Sequence, residues 1–133
     1  MAKKKETGLS KGLKALFVIH GVGAIFTGVL LFFVPEIWAK LNQYGPIDNG
    51  VMRLLGSYFL ALGFKDWFCF KAKGLVEVRI ILIQEVALTL LATLACFYAV
   101  IFEAAPAIMW FNGVLFAVLF VFWTYFYLKY RKQ

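Results

Sequence analysis

His20, Arg53, Gln84, Glu85 and Asn112 are the residues whose positions give them chemistry, because each falls inside an otherwise apolar run. A charge in hydrocarbon costs ~2.5–3.5 kcal/mol even on lenient insertion scales, so it needs a partner or a water-filled pocket. Counting ~1.5 Å of rise per helical residue puts His20 about 10 Å into its run. Gln84 and Glu85 reach a similar depth in a later run that begins beyond Arg79, whereas Arg53 and Asn112 fall near the far ends of two others. Depth sorts these groups into an inner layer, His20 with Glu85, and an outer one, Arg53 with Asn112 or the loop carboxylates Asp48 and Glu36.

The inner pair has two readings. A buried hydrogen bond between His20 and Glu85 would fix helix register. Alternatively the pair handles protons, since histidine changes charge near neutrality and a carboxylate neighbour tunes it. Arg53 has its own alternative, which is to snorkel to outer headgroups. Lys65, Asp66, Glu77 and Arg79 are expected to be solvated at the inner rim. A metal centre lacks ligands, for the chain has one histidine and no paired acidic cluster. Cys69 and Cys96 fall in opposite halves of their runs, too far apart for a disulfide, and there is no CxxC pair. No nucleophile elbow, phosphate-cradling glycine loop or HExxH motif occurs. No catalytic set can therefore be named, and no cofactor is implied.

The elements that hold these residues are four apolar runs, at 13–34, 51–70, 75–102 and 107–128. Each is long enough to cross the ~30 Å hydrocarbon core of a bilayer as a helix. Lipid offers the backbone no hydrogen-bond partner, so such runs must be helical. The composition agrees: 63% of the 133 residues are hydrophobic and only 16% charged, against about a quarter charged in soluble domains. The net charge of +7 does not point to nucleic acid, because its distribution is that of the positive-inside rule. Lys3, Lys4, Lys5, Lys11 and Lys14 precede the first run, Lys65, Lys71, Lys73 and Arg79 surround the second turn, and Lys129, Arg131 and Lys132 follow the last. Only Lys40 and Arg53 lie on the other side. Both termini are thus expected in the cytoplasm, with the basic residues against anionic headgroups. The first run is too long for a signal peptide and has no small-x-small cleavage site after it, so it is expected to stay as a helix.

Aromatic residues mark the expected interfaces, Trp38 and Trp110 outside, and Trp67, Trp123, Tyr125, Tyr127 and Tyr130 inside. Residues 35–50 carry Pro35, Gly45, Pro46 and Gly50, and Ile37, Trp38 and Leu41 share one face of a short interfacial helix. The two later turns are short, which makes helices two and three neighbours, and three and four. Pro106 is placed to begin the fourth helix. Small residues give the packing seams: Gly21, Ala24 and Gly28 on the first helix, Gly56 and Gly63 on the second. These seams serve bundling within the chain, or homo-dimerisation through Ala24 and Gly28.

The stretches Val51-Met52-Arg53-Leu54-Leu55-Gly56 and Leu60-Ala61-Leu62-Gly63, with Pro35 and Trp38, resemble small four-helix prokaryotic membrane proteins of the DoxX-like and unknown-function type. The resemblance covers the first two helices best and implies a four-helix bundle in a prokaryotic cytoplasmic membrane. Length and span count are also similar to small multidrug-resistance exporters, but those carry their essential carboxylate in the first helix, where this chain has His20 and no acid.

The sequence thus predicts an all-α membrane protein, a single domain over 1–133 forming an antiparallel bundle of four transmembrane helices. The expected role is a non-catalytic accessory subunit or small-ligand binder in a larger membrane assembly, or a homo-oligomer, with lipid as its constant partner. One alternative is a proton-coupled small-molecule transporter working as an oligomer through Glu85 and His20. Another is a membrane enzyme or quinone-interacting protein.

Overall fold

A computed structural model describes residues 8–131, and among these it contains five α-helices and no strand. Lys3, Lys4, Lys5 and Lys132 of the basic clusters lie outside the described residues. Helix α1, Lys11–Phe33, begins where the Ser10 hydroxyl accepts from the Leu13 amide at 3.3 Å, which satisfies one of the orphan donors of a first turn. It stops at Val34, the residue before Pro35, which proline sterics drive out of helical conformation. Pro35 then opens α2, Pro35–Leu41, at a position where its missing N–H costs nothing. The exit from α2 is a left-handed turn at Gln43, with φ 59°. There the Tyr44 amide donates to Ala39 O at 2.9 Å and the Gln43 amide to Lys40 O at 3.3 Å, the paired bonds that close a helix C-terminus.

Helix α3, Asn49–Lys71, is capped by Asp48, whose Oδ1 accepts from the Gly50 and Val51 amides at 2.8 and 3.0 Å. Helices α4, Leu75–Phe102, and α5, Ile108–Tyr130, complete the chain. Pro106 stands two residues before α5 and accepts from the Met109 amide through its carbonyl at 2.9 Å.

The helices group into two compact units, Leu9–Lys73 and the residues from Gly74 onward. In the first, α1 and α3 run antiparallel in close contact, with α2 packed between their connected ends. Their direction follows from the seam, where Gly28 faces Gly56 and Gly21 faces Gly63. A Cβ on Gly28 would stand 2.8 Å from the Leu60 amide nitrogen and 3.0 Å from Gly56 O. No other residue lets the two backbones come this near, and close approach is how helices associate where there is no hydrophobic drive. Loop length suggested partners joined by short turns, yet α1 and α3 pair across the longest connection because their glycine stripes match.

In the second unit α4 packs on α5, the pair that the short turn predicts. Gly113 seats the ring of Phe97, with Cε1 only 3.0 Å from where a Cβ would be, and Trp110 tilts against the same ring at 5.6 Å. The α4 hydroxyls satisfy themselves locally: Thr89 Oγ1 donates to Glu85 O and Thr93 Oγ1 to Thr89 O, both at 2.7 Å.

Three of the long helices, α1, α4 and α5, are long and apolar enough to cross a membrane, with mean hydropathies of 2.3, 2.2 and 1.8. Helix α3 matches α1 and α5 at 23 residues but carries Arg53, Lys65 and Asp66 within its length, and these remove it from that group. The exposed faces of the helices are apolar, with Val22, Phe26, Leu54, Phe68, Ile80, Leu91 and Val121 all turned outward. That is the reverse of a water-facing surface. Two belt expectations are corrected here. Trp123 is wholly buried and Tyr130 nearly so, because both lie on the packed stripe of α5 that also holds Phe126.

Candidate functional site

Gly21 on α1 and Gly63 on α3 set the spacing at which the most polar feature of the first unit forms. Asp66 lies one turn beyond Gly63, on the same stripe, and its Cβ is 3.0 Å from the position a Gly21 Cβ would take. His20, beside Gly21, reaches across, and its Nδ1 lies 2.7 Å from Asp66 Oδ2. Lys65 Nζ lies 3.5 Å from the other oxygen, Oδ1. The carboxylate is fully buried, and the His20 and Lys65 side chains are 10% and 17% exposed. Asp66 is therefore not the solvated rim residue that the sequence suggested. Helix α3 runs on to Lys71, which leaves Asp66 roughly 7.5 Å inside the helix end at 1.5 Å per residue.

Burying an ionised carboxylate costs several kcal/mol, and the cost is offset only where geometry and hydrogen bonds are good. Here one oxygen meets an imidazole and the other an ammonium. An ionised carboxylate can only accept, so with Asp66 in that form Nδ1 is the donor of the 2.7 Å contact. The arrangement can lock α1 to α3, and it can also hold or pass a proton.

Beside this cluster the two helices leave a cleft of about 270 Å³. Phe17, Val18, Gly21, Val22 and Ile25 wall it from α1, and Gly63, Phe64, Asp66, Trp67 and Phe70 from α3. Val22, Phe64 and Trp67 are exposed, so the cleft opens outward. Its walls are almost wholly apolar. A second, more polar depression lies around α2, among Glu36, Lys40, Tyr44 and Asn49. Trp38 stacks on Tyr44 next to it, and Asn49 Nδ2 donates to Glu36 Oε1 at 2.9 Å.

The remaining sequence candidates fall as follows. Gly28 and Gly56 face each other in the α1–α3 seam, and Ala24 is buried on the same stripe of α1. Glu85 is wholly buried on α4, together with Thr89. Gln84 is exposed rather than buried, since it lies about 100° around the helix from Glu85. Arg53 is exposed too, and its hydrogen bond goes to neither of the loop carboxylates Asp48 and Glu36. Its guanidinium donates to Phe32 O at 2.8 Å, one of the last carbonyls of α1 that has no helical partner. Helix α1 has no basic residue in its last turn, so Arg53 supplies the cation that a helix C-terminus favours. Asn112 is half-buried and donates to Met109 Sδ at 3.8 Å. Cys69 and Cys96 are free, buried thiols.

Asp66, Lys65 and Gly113 are the residues that sequence reasoning missed. For Asp66 the available signal was its spacing from Gly56 and Gly63, which places all three on one side of a helix. No protein-family model matches this chain, and no curated protein or solved structure matches it either.

Proposed function

We propose that this chain is an integral membrane protein whose four long helices all cross the bilayer as an antiparallel bundle, with both termini in the cytoplasm. In this proposal it serves a larger membrane assembly as a non-catalytic, small-ligand-binding accessory subunit. The observation that carries this is the apolar cleft between α1 and α3, which is open on its outer side and backed by a locked polar cluster. Ligand pockets run from ~300 to 1,000 Å³, so a cleft just below that range suits one narrow apolar ligand taken from the lipid phase. The glycine seam and the His20–Asp66 bond hold its walls at a fixed separation. Purification from native membranes in mild detergent tests the proposal. A stable hetero-complex that carries an extractable apolar molecule supports it, and the Val22→Trp variant, which fills the cleft, should lose that molecule. A chain that purifies alone and empty refutes it.

A second reading, proton-coupled transport by an oligomer, is favoured by one specific observation: the 2.7 Å contact between His20 and a fully buried carboxylate. Ionisable groups within membrane helices commonly mark proton relays. Proton-dependent flux in liposomes holding this protein alone, abolished by Asp66→Asn in a folded protein, would support transport. Absence of flux with intact folding would refute it.

A further inference from the structure

We infer that the α1–α3 cleft is a site for an anionic phospholipid, with an acyl chain between the helices and the phosphate held by Lys14 and Lys71. This rests on the ligand-binding reading above and names the ligand class. The cleft ends at two rings, Phe70 and Trp67. Over the first stands the ammonium of Lys14, 5.9 Å from the ring centroid, and over the second that of Lys71, at 4.7 Å. The apolar slot thus terminates in two positive charges, one from each helix. Among the described residues no carboxylate is paired with either ammonium. The one acid that lines the slot, Asp66, is buried and already shared between His20 and Lys65, which offset its charge. A molecule complementary to this arrangement has a long apolar part and a negative head at one end. A free fatty chain without charge would leave the lysines unused, and a soluble phosphate would leave the slot empty. A zwitterionic phospholipid fills the slot but brings no net charge to the lysines, each of which contributes about fivefold to the binding of an anionic lipid.

Trp67 lines the cleft and is 51% exposed, so its fluorescence reports on the occupant. The protein is reconstituted with phosphatidylcholine containing graded amounts of either brominated phosphatidylglycerol or brominated phosphatidylcholine. Quenching is compared between the natural chain and Trp67→Phe, so that the difference isolates Trp67. The expected result is a preference of about 25-fold for the anionic lipid at Trp67, about fivefold from each of the two lysines. It should fall about fivefold for each lysine removed in Lys14→Gln and Lys71→Gln. It should be unchanged in Lys40→Gln/Lys129→Gln, which removes the same charge elsewhere. Raising the salt concentration on the natural chain should reduce the preference too, and needs no variant to fold. Equal quenching of Trp67 by both lipids would overturn the anionic site while leaving an apolar-ligand cleft intact. Quenching that does not change between the natural chain and Trp67→Phe would overturn the site and the ligand-binding cleft together.

Discussion

Replacing Gly56 by alanine adds a single methyl group where the α1–α3 seam brings backbone closest to backbone. The new Cβ would stand 2.6 Å from the Phe32 amide nitrogen, and 3.0 Å from both Gly28 O and the Leu31 carbonyl carbon. Optimal separation between carbon atoms is ~3.5–4.0 Å, so relief requires the helices to part by roughly 1 Å. All three neighbours are backbone, and none can rotate aside. A radial gap of ~0.5–1 Å forfeits a quarter to a half of each dispersion contact, and overpacking of this kind typically costs ~1–3 kcal/mol. Gly23→Ala is the matched control. It makes the same chemical change on α1, yet nothing lies within 4 Å of the added Cβ, and alanine favours a helix by up to ~1 kcal/mol over glycine. The two variants should therefore differ by about 2–4 kcal/mol. Equilibrium unfolding in mixed detergent, followed by helical circular dichroism, measures that gap. Gly63→Ala should fall between them, because its nearest neighbour is the Ile25 side chain rather than backbone. If Gly56→Ala unfolds no earlier than Gly23→Ala, the glycine seam is not what sets the α1–α3 distance.

Asp66→Ala removes the acceptor of His20 and the counter-charge of Lys65, at an expected cost of ~1–3 kcal/mol, and Asp66→Asn should cost less because it keeps a hydrogen-bonding oxygen. A double-mutant cycle with His20→Ala should show a coupling of ~0.5–3 kcal/mol in detergent unfolding, and strict additivity would mean that the contact is energetically idle. Arg53→Ala should destabilise by ~0.3–1 kcal/mol through loss of the cation at the α1 C-terminus, with Arg53→Lys in between; no change would show that the Phe32 carbonyl needs no cap. Cysteine labelling in a background lacking Cys69 and Cys96 should reach position 43 from outside the cell and position 73 only from inside. Labelling of both from one side would contradict the orientation drawn from the lysine distribution.

What could be read from the sequence was mostly element length. Helix α4 covers 75–102 as expected, and the other long helices begin and end within two residues of the apolar runs. Unbroken apolar sequence leaves few places for a helix to stop, and Pro35 and Pro106 mark two of them. Pairing of helices was less legible. Loop length is a local signal, whereas the α1–α3 contact depends on two glycine stripes matching across a long connection. The polar site was legible by half. His20 was found because it stands alone among apolar residues. Asp66 was hidden by adjacency, since Lys65-Asp66 next to a basic turn looks like a solvated pair when depth is counted from the nearest charge. Arg53 was noticed, but its partner is a backbone carbonyl, and no pattern of side chains announces such an acceptor.

The α1–α3 seam has a consequence beyond closeness. Each glycine carries a hydrogen where other residues carry Cβ, and for Gly28, Gly56 and Gly63 that position lies 3.0 Å from a carbonyl oxygen of the facing helix. The acceptors are Gly56, Gly28 and Gly21 respectively, so the contacts are reciprocal. Weak Cα–H···O attractions of this sort are worth ~0.5–1 kcal/mol each. They also act as a ratchet with one tooth. Sliding α1 along α3 by a single residue would turn every one of these hydrogens away from its oxygen at once, and would put Val22 and Val29 into the space of Gly21 and Gly28. The register of the helix pair is thereby written into the backbone itself, and it would persist through most changes to the side chains around it.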